Sequence, residues 1–281
     1  MSSVAPTTAD FEPLREPFLA SAWRLSAQAG WNQTEEDWGR LIRMDGSSVK
    51  VLIKDGEVRA SYSVVGYGTK VAWIGMVLVD EALRGEGWGK AAFAAALHDA
   101  AGFATAGLDA TNLGEPIYLK QGFEIGGPVV RWMGVSRRDS APARRLRTGM
   151  HEDVVALDAA SVGINRAELL RDLAGSGAAV FRLDEGGATS AYGIVRPGRL
   201  ASHLGPVVAG SPEGFAAVLD QALAFCQGEP LICDAVCTDA ANILASRGLR
   251  PARFLKRMTR PLDAGCLAGP EVWCGAGFEL G

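Results

Sequence analysis

The sequence predicts a mixed α/β protein of two consecutive domains, each a sheet flanked by helices, and three observations predict it. The chain has 281 residues, which is long for one core and comfortable for two, because single cores stop growing near ~250 to 300 residues. Its apolar periodicity switches repeatedly between helical and alternating. The order of elements in the first half then recurs in the second, an internal duplication visible in element order rather than in residue identity.

In the first half, "PFLASAWRLSAQA" and "WNQTEEDWGRLIRM" have helical spacing, the second with Asn32 or Thr34 as candidate N-cap and Glu35 and Glu36 in its first turn. "SVKVLIKDGEVRASYSVVGYG" predicts two strands joined by Asp55-Gly56, a strong short hairpin signal. "TKVAWIGMVLVD" is apolar from Val71 to Val79 without alternation, as expected of a strand buried on both faces. A glycine cluster leads into the helix former "GKAAFAAALHDAA". "FATAGLDAT" predicts a strand, "EPIYLKQ" a short helix with Pro116 in its first turn and Gly122 as its stop, and "FEIGGPVVRWMGV" a final strand or pair.

The second half begins at Met150 with helices in "HEDVVALDAASV" and "NRAELLRDLAGS". Strands follow in "AAVFRLDEG", "TSAYGIVRPG" and "ASHLGPVVAG", then a helix in "SPEGFAAVLDQALAFCQ". A strand in "PLICDAV", a helix in "TDAANILASRG" and a strand in "ARFLKRMTRP" complete the repeat, and "EVWCGAGFELG" predicts an added apolar strand closing a sheet edge. The expected boundaries are residues 1–136 for the first domain, 137–149 for an arginine-rich linker and 150–281 for the second domain.

Composition narrows the function. Residues 1–145 hold 16 Lys and Arg against 17 Asp and Glu, and the remainder holds 12 against 15, so neither half is basic. Nucleic acid is therefore not an expected partner. The stretch "SRRDSAPARRLR", with Arg137, Arg138, Arg144, Arg145 and Arg147, lacks aromatics to stack on bases and reads as a solvated linker. No run approaches the ~18 to 20 apolar residues of a membrane span, and the first residues show no signal core, so a cytoplasmic protein with no membrane partner is expected. The five cysteines all lie in the second half; Cys233 and Cys237 lack a second pair at zinc spacing and read as buried thiols, and no metal is expected.

The chemistry concentrates in "VDEALRGEGWGKAAFAAAL", residues 79–97, where Arg84, Gly85, Glu86, Gly87, Trp88, Gly89 and Lys90 separate the buried strand from the helix. Free amides and the positive end of a helix dipole at such a junction suit a phosphate or pyrophosphate. Neither the nucleotide P-loop nor the dinucleotide fingerprint fits the glycine spacing. The spacing present is Arg84-x-x-Gly87-x-Gly89.

With that spacing, between a buried strand and a helix, residues ~10 to 135 resemble the Gcn5-related N-acetyltransferase (GNAT) superfamily. A second landmark, "LDATNLGEPIYLKQGFE", resembles the closing segment of that family, with Tyr118 at its tyrosine and Gly122-Phe123 at its Gly-Phe. The resemblance implies tandem acetyltransferase folds, each a mixed, mostly antiparallel twisted sheet flanked by helices. It also implies acetyl-CoA as co-substrate, its pantetheine arm on the backbone of Val77, Leu78 and Val79 and its pyrophosphate in the loop from Arg84 to Lys90. Tyr118 would then protonate the leaving thiolate, a suitable role for a phenol of pKa ~10. Many family members carry a carboxylate base on the strand before the loop; none stands between Val71 and Met76 here. Glu35, Asp37, Asp109 and Glu124 are candidates, as is a water chain.

Residues ~150 to 281 resemble the second domain of two-domain bacterial members, with "SVGINRAELL", "SHLGPVVA" and "FLKRMTR" as landmarks. The glycine loop is replaced by "SPEGFAA", where Ser211, Pro212 and Glu213 supply a cap, a proline and an acid. One cofactor site per chain is expected, in the first domain. Asn165, Arg166, Tyr192, Arg196, His203 and Asp234 are candidates to choose the acceptor, or ordinary caps and half-buried groups.

The expected activity is transfer of acetyl from acetyl-CoA to a primary amine, on a small molecule or peptide, by direct attack in a ternary complex. Two alternatives stay open: an acyl-CoA sensor or scaffold without turnover, and an acyltransferase with a different acyl-CoA. The sequence is silent on acceptor identity and oligomeric state.

Overall fold

Local signals set the first elements. Asp37 at the third position of a helix returns its carboxylate to the amide and hydroxyl of Thr34, whose side chain in turn accepts from the Asp37 amide. This capping box starts α2 (Glu35–Arg43), which packs against α1 (Leu19–Gln28). The computed structural model of the chain describes residues 6–135, 147–175, 177–263 and 265–281. These form two compact units, residues 1–108 and 109–281. Of the arginine-rich linker, Arg137, Arg138, Arg144 and Arg145 lie outside the described residues.

Unit 1 holds β1 (Glu12–Pro13), the two helices, β2 (Ser48–Lys54), β3 (Glu57–Tyr67), β4 (Val71–Val79), α3 (Trp88–Asp99) and the start of β5 (Thr105–Ala110). The strands lie in the order β1-β2-β3-β4-β5, antiparallel throughout except for the parallel pair β4 and β5. Asp55 and Gly56 both take positive φ, +55° and +75°, as the two-residue turn between β2 and β3 requires. Trp38 and Trp73 are fully buried, and the Trp38 indole keeps a partner by donating to Ser26 Oγ at 3.1 Å. Burying one such aromatic side chain contributes roughly 2 to 3 kcal/mol.

Unit 2 holds the end of β5, α4 (Glu115–Leu119), β6 (Glu124–Val135), β7 (Arg147–Thr148), α5 (Glu152–Val162), α6 (Ala167–Leu173), β8 (Ala179–Glu185), β9 (Ala188–Arg196), β10 (Ser202–Ala209), α7 (Pro212–Cys226), β11 (Pro230–Ala235), α8 (Ala240–Ser246), β12 (Arg250–Arg260) and β13 (Val272–Cys274). Its strands run β12-β6-β11-β13-β10-β9-β8-β7, mostly antiparallel. The core under this sheet includes Phe215, Val218 and Leu219 of α7 against Val207, Leu231 and Trp273.

β6 pairs with β11 over its second half, from Pro230–Val135 to Ala235–Val130, and with β12 from Arg250–Met133 to Thr259–Glu124, and the compact units divide near residue 108. One strand departs from the sequence expectation. β13 closes no edge: it lies between β10 and β11. Of the two cysteines read as buried thiols, Cys233 is buried and Cys237 is partly exposed.

Candidate functional site

The site is built where β4 meets α3. β4 pairs with β5 through Val71–Thr105, Ala72–Ala106 and Trp73–Gly107, and the parallel pairing ends there. On its other side β4 continues beside β3 as far as Ala60–Val79, with a register shift opposite Ser61 to Ser63. Met76 sits in this bulge with φ +49°, an uncommon conformation for a side chain of its size. Its carbonyl accepts from Ser61 Oγ at 2.7 Å, which holds the bulge in place. The consequence is that, among the described pairings, Leu78 and Val79 pair with β3 on one side only, and Val77 lies in the bulge. Edge backbone of that kind can pair with an extended ligand bearing amides.

After Asp80 the chain turns through Glu81–Leu83 to the glycines. Gly85 and Gly87 have φ of +82° and +93°, and Gly87 is the N-cap of α3, with no side-chain cap on the helix. A side chain at either would be strained, so glycine is required there. Arg84, Gly85, Glu86, Gly87 and Lys90 are exposed, Trp88 and Gly89 partly so. The first amides of this twelve-residue helix thus have no side-chain cap, and Pro6 lies beside Gly87.

Arg84 donates through Nε to the Val79 carbonyl at 3.3 Å and through Nη1 to Glu81 at 3.3 Å. Glu86 accepts from the Trp88 indole at 3.3 Å. The loop thus holds two cations and two acids, and Arg84 is only lightly committed, since an exposed pair of this type is worth about 0 to 1 kcal/mol.

Tyr118 lies on α4, in unit 2. Its ring folds back over Gly114, where an added Cβ would meet the ring at 2.6 Å, and it packs on Phe123 with 6.3 Å between centroids. Burial pushes its phenol above the ordinary value. Such a phenol keeps its proton at neutral pH, which suits a donor rather than a base.

The carboxylate candidates have other occupations. Asp37 is buried in its capping box and bonds Arg40 at 2.6 Å, while Glu35 and Glu124 are exposed. Asp109 holds Arg257 through two bonds of 3.0 Å; its burial raises the carboxyl against the opposing pull of Arg257.

Unit 2 repeats the frame with different content. Ser211 Oγ accepts from the Gly214 amide at 3.1 Å, Pro212 is the first residue of α7 and Glu213 lies in its first turn. This terminus is already capped and carries an acid, which opposes an anion. Asn165 Oδ1 accepts from the Ala167 amide at 3.0 Å at the start of α6. Arg166 holds the buried Asp158 through bonds of 2.8 and 2.9 Å, and Tyr192 donates to the same carboxylate. Arg196 meets His203 Nδ1, His203 Nε2 faces Asp234 at 3.2 Å, and Arg131 grips Asp234 through two bonds of 2.7 Å. Apart from the exposed Asn165, these acceptor candidates are buried, Arg166 and Tyr192 on Asp158 and Arg196, His203 and Asp234 in a row. Sequence reading missed Asp158 and Arg131, since only the fold brings them to their partners.

No group of three or more His, Cys, Asp or Glu side chains poised for a metal occurs among the described residues, and none of their helices is long and apolar enough to cross a membrane.

Known proteins resemble this chain in both halves. A model of the acetyltransferase (GNAT) family matches residues 14–123, and a model described as acetyltransferase (GNAT) domain matches residues 154–264. An uncharacterized N-acetyltransferase of Bacillus subtilis, YitH, is 25% identical over 221 residues, covering 76% of this chain and 78% of its own. A holothin acyltransferase of a Pseudoalteromonas species is 26% identical over 199 residues, covering 69% of this chain and 66% of its own. Among solved structures, a candidate acetyltransferase of Pyrococcus horikoshii superposes with a TM-score of 0.81 at 18% identity, over 96% of this chain and 95% of its own. A tandem GNAT protein from the clavulanic acid biosynthesis pathway gives 0.61 at 17% identity, over 89% and 97%.

Proposed function

This chain belongs to the GNAT acetyltransferase family, with two such domains and acyl transfer as its chemistry, and from that premise we propose that it moves an acetyl group from acetyl-CoA to a primary amine, using one cofactor site formed by unit 1. The observation that supports this most is the junction of β4 and α3. The backbone of Val77 to Val79, one-sided at Leu78 and Val79, would pair with the pantetheine arm. The amides after Gly85 and Gly87, with Arg84 and Lys90, would hold the pyrophosphate.

In this reading the neutral amine attacks the thioester carbonyl, the C–N bond forms as the C–S bond breaks, and backbone N–H groups polarise the carbonyl. The thiolate leaves with a proton from Tyr118, and the amine gives up its own proton to water. Direct attack needs no covalent enzyme intermediate, so no cysteine takes part. A small-molecule or peptide amine is the acceptor class. The acyl group deserves a separate test, because β4 carries no side chain at Gly75, and a relative is named as an acyltransferase without the word acetyl.

Calorimetric titration of the full chain with acetyl-CoA tests the proposal. One site per chain supports it and licenses a screen of amines with competing acyl-CoAs; no binding overturns it. Binding without turnover on any amine would replace it with an acyl-CoA sensor, a reading favoured by the lack of a carboxylate on β4.

A further inference from the structure

The two units share a strand geometry that differs in what fills it. In unit 1, β4 and β5 pair in parallel at three positions and then part. In unit 2, β10 and β11 do the same: Ser202–Leu231, His203–Ile232 and Leu204–Cys233 pair, and then the strands separate. Each first strand also carries a register shift against its hairpin partner, opposite Ser61 to Ser63 in one and between Leu204 and Val207 in the other. Parting parallel strands expose backbone N–H and C=O groups along the gap, and buried groups of that kind must find partners.

In unit 2 the partner is the chain itself. β13 enters the gap antiparallel to both walls, placing Cys274 opposite Val207 and Ala235, and Val272 opposite Val208. The amides of Ala209, Val236 and Gly275 bond to the carbonyls of Glu271, Trp273 and Asp234 at 2.9 to 3.1 Å. Trp273 lies flat on Phe215 of α7, 4.6 Å between centroids, and its indole donates to the Ala209 carbonyl at 2.9 Å. Val272 and Cys274 are fully buried. A Cβ at Gly205 would stand 2.2 Å from the Gly275 carbonyl, so the two backbones touch with no room for a second occupant.

We infer that β13 is a resident strand occupying in unit 2 the gap that acyl-CoA is proposed to use in unit 1, and that it closes the second unit to that ligand. The comparison rests on the proposed function; the occupancy of the gap does not. It adds a reason for a single site that is separate from the missing glycine loop: a pyrophosphate cradle grafted at Ser211 would still meet a filled gap.

Amide hydrogen exchange on the full chain, read by mass spectrometry with and without acetyl-CoA, tests this. Peptides covering 270–276 should exchange at least ~100-fold more slowly than unstructured chain, as slowly as peptides of β9, and the ligand should leave them unchanged. Loop-like exchange of 270–276 without ligand, or loss of their protection when acetyl-CoA is added, would overturn the inference. Peptides covering 77–79 report separately: protection there on adding acetyl-CoA supports the cofactor reading, and its absence defeats that reading while the 270–276 rates still decide the role of β13.

Discussion

Arg84 donates from Nε to the carbonyl oxygen of Val79 across 3.3 Å, tying the first residue of the glycine loop to the last residue of β4. This exposed bond links the end of the strand to the start of the loop, and under the proposed function a change at Arg84 acts on both.

Arg84→Glu combined with Gly87→Val tests this coupling. The first reverses a charge at the proposed pyrophosphate, and the second puts a β-branched side chain where φ is +93°. Acetyl-CoA affinity should fall at least ~100-fold, about 2.7 kcal/mol. The strain at Gly87 costs roughly 1 to 3 kcal/mol, so circular dichroism should still show a folded chain. Unchanged affinity in the calorimeter would sink the assignment.

Tyr118→Phe should bind acetyl-CoA normally and lower kcat by on the order of 100-fold. Because burial raises the phenol, the wild-type rate should not decline through proton loss at Tyr118 until pH passes its ordinary value of 10.0. Gly114→Ala is a milder version: the new methyl would press on the ring at 2.6 Å and turn it away, lowering kcat more than acetyl-CoA affinity. Equal kcat in wild type and Tyr118→Phe would remove the residue from the mechanism.

What the sequence disclosed was what neighbouring residues decide. The Asp55-Gly56 turn, the helix cap at Thr34, one of the two candidates with Asn32, and the Ser211-Pro212-Glu213 helix start act within a few positions of themselves and stand as read, and Gly85 and Gly87 take the positive φ of a sharp turn. The strand assignments also held, because β4 is apolar on both faces and is buried accordingly. Pairing was another matter. Nothing near Val272 says that it will lie opposite Val208, 64 positions earlier, and nothing in "FEIGGPVVRWMGV" says that its partners are β11 and β12. The bulge at Met76 is equally opaque, since methionine gives no signal for positive φ.

The grip of Arg131 on Asp234, two bonds of 2.7 Å with both residues buried, yields a stability prediction. Asp234→Ala would leave Arg131 buried without its carboxylate and take the acceptor from His203. Breaking a buried pair on one side costs about 3 to 5 kcal/mol, so the urea midpoint should fall markedly. A change within about 0.5 kcal/mol would mean that the cation reaches solvent by rearrangement.

His203 makes stability depend on pH in a direction that can be worked out. Burial and the facing Arg196 cation depress its pKa from 6.5 to about 4, against the pull of Asp234, with the Arg131 cation adding to the depression. With Arg196 Nη1 at Nδ1, the neutral ring carries its proton on Nε2 and donates to Asp234. Below pH 6.5 the unfolded chain takes up a proton that the folded chain refuses, so stability from this group is complete above 6.5 and declines until pH reaches about 4. The full loss is roughly 3 kcal/mol, at 1.36 kcal/mol for each tenfold change in proton affinity. Urea unfolding at steps between pH 7 and pH 4 should carry that contribution, and His203→Gln should remove it and make the decline shallower. An identical slope in wild type and His203→Gln would show that the ring is not held neutral between Arg196 and Asp234.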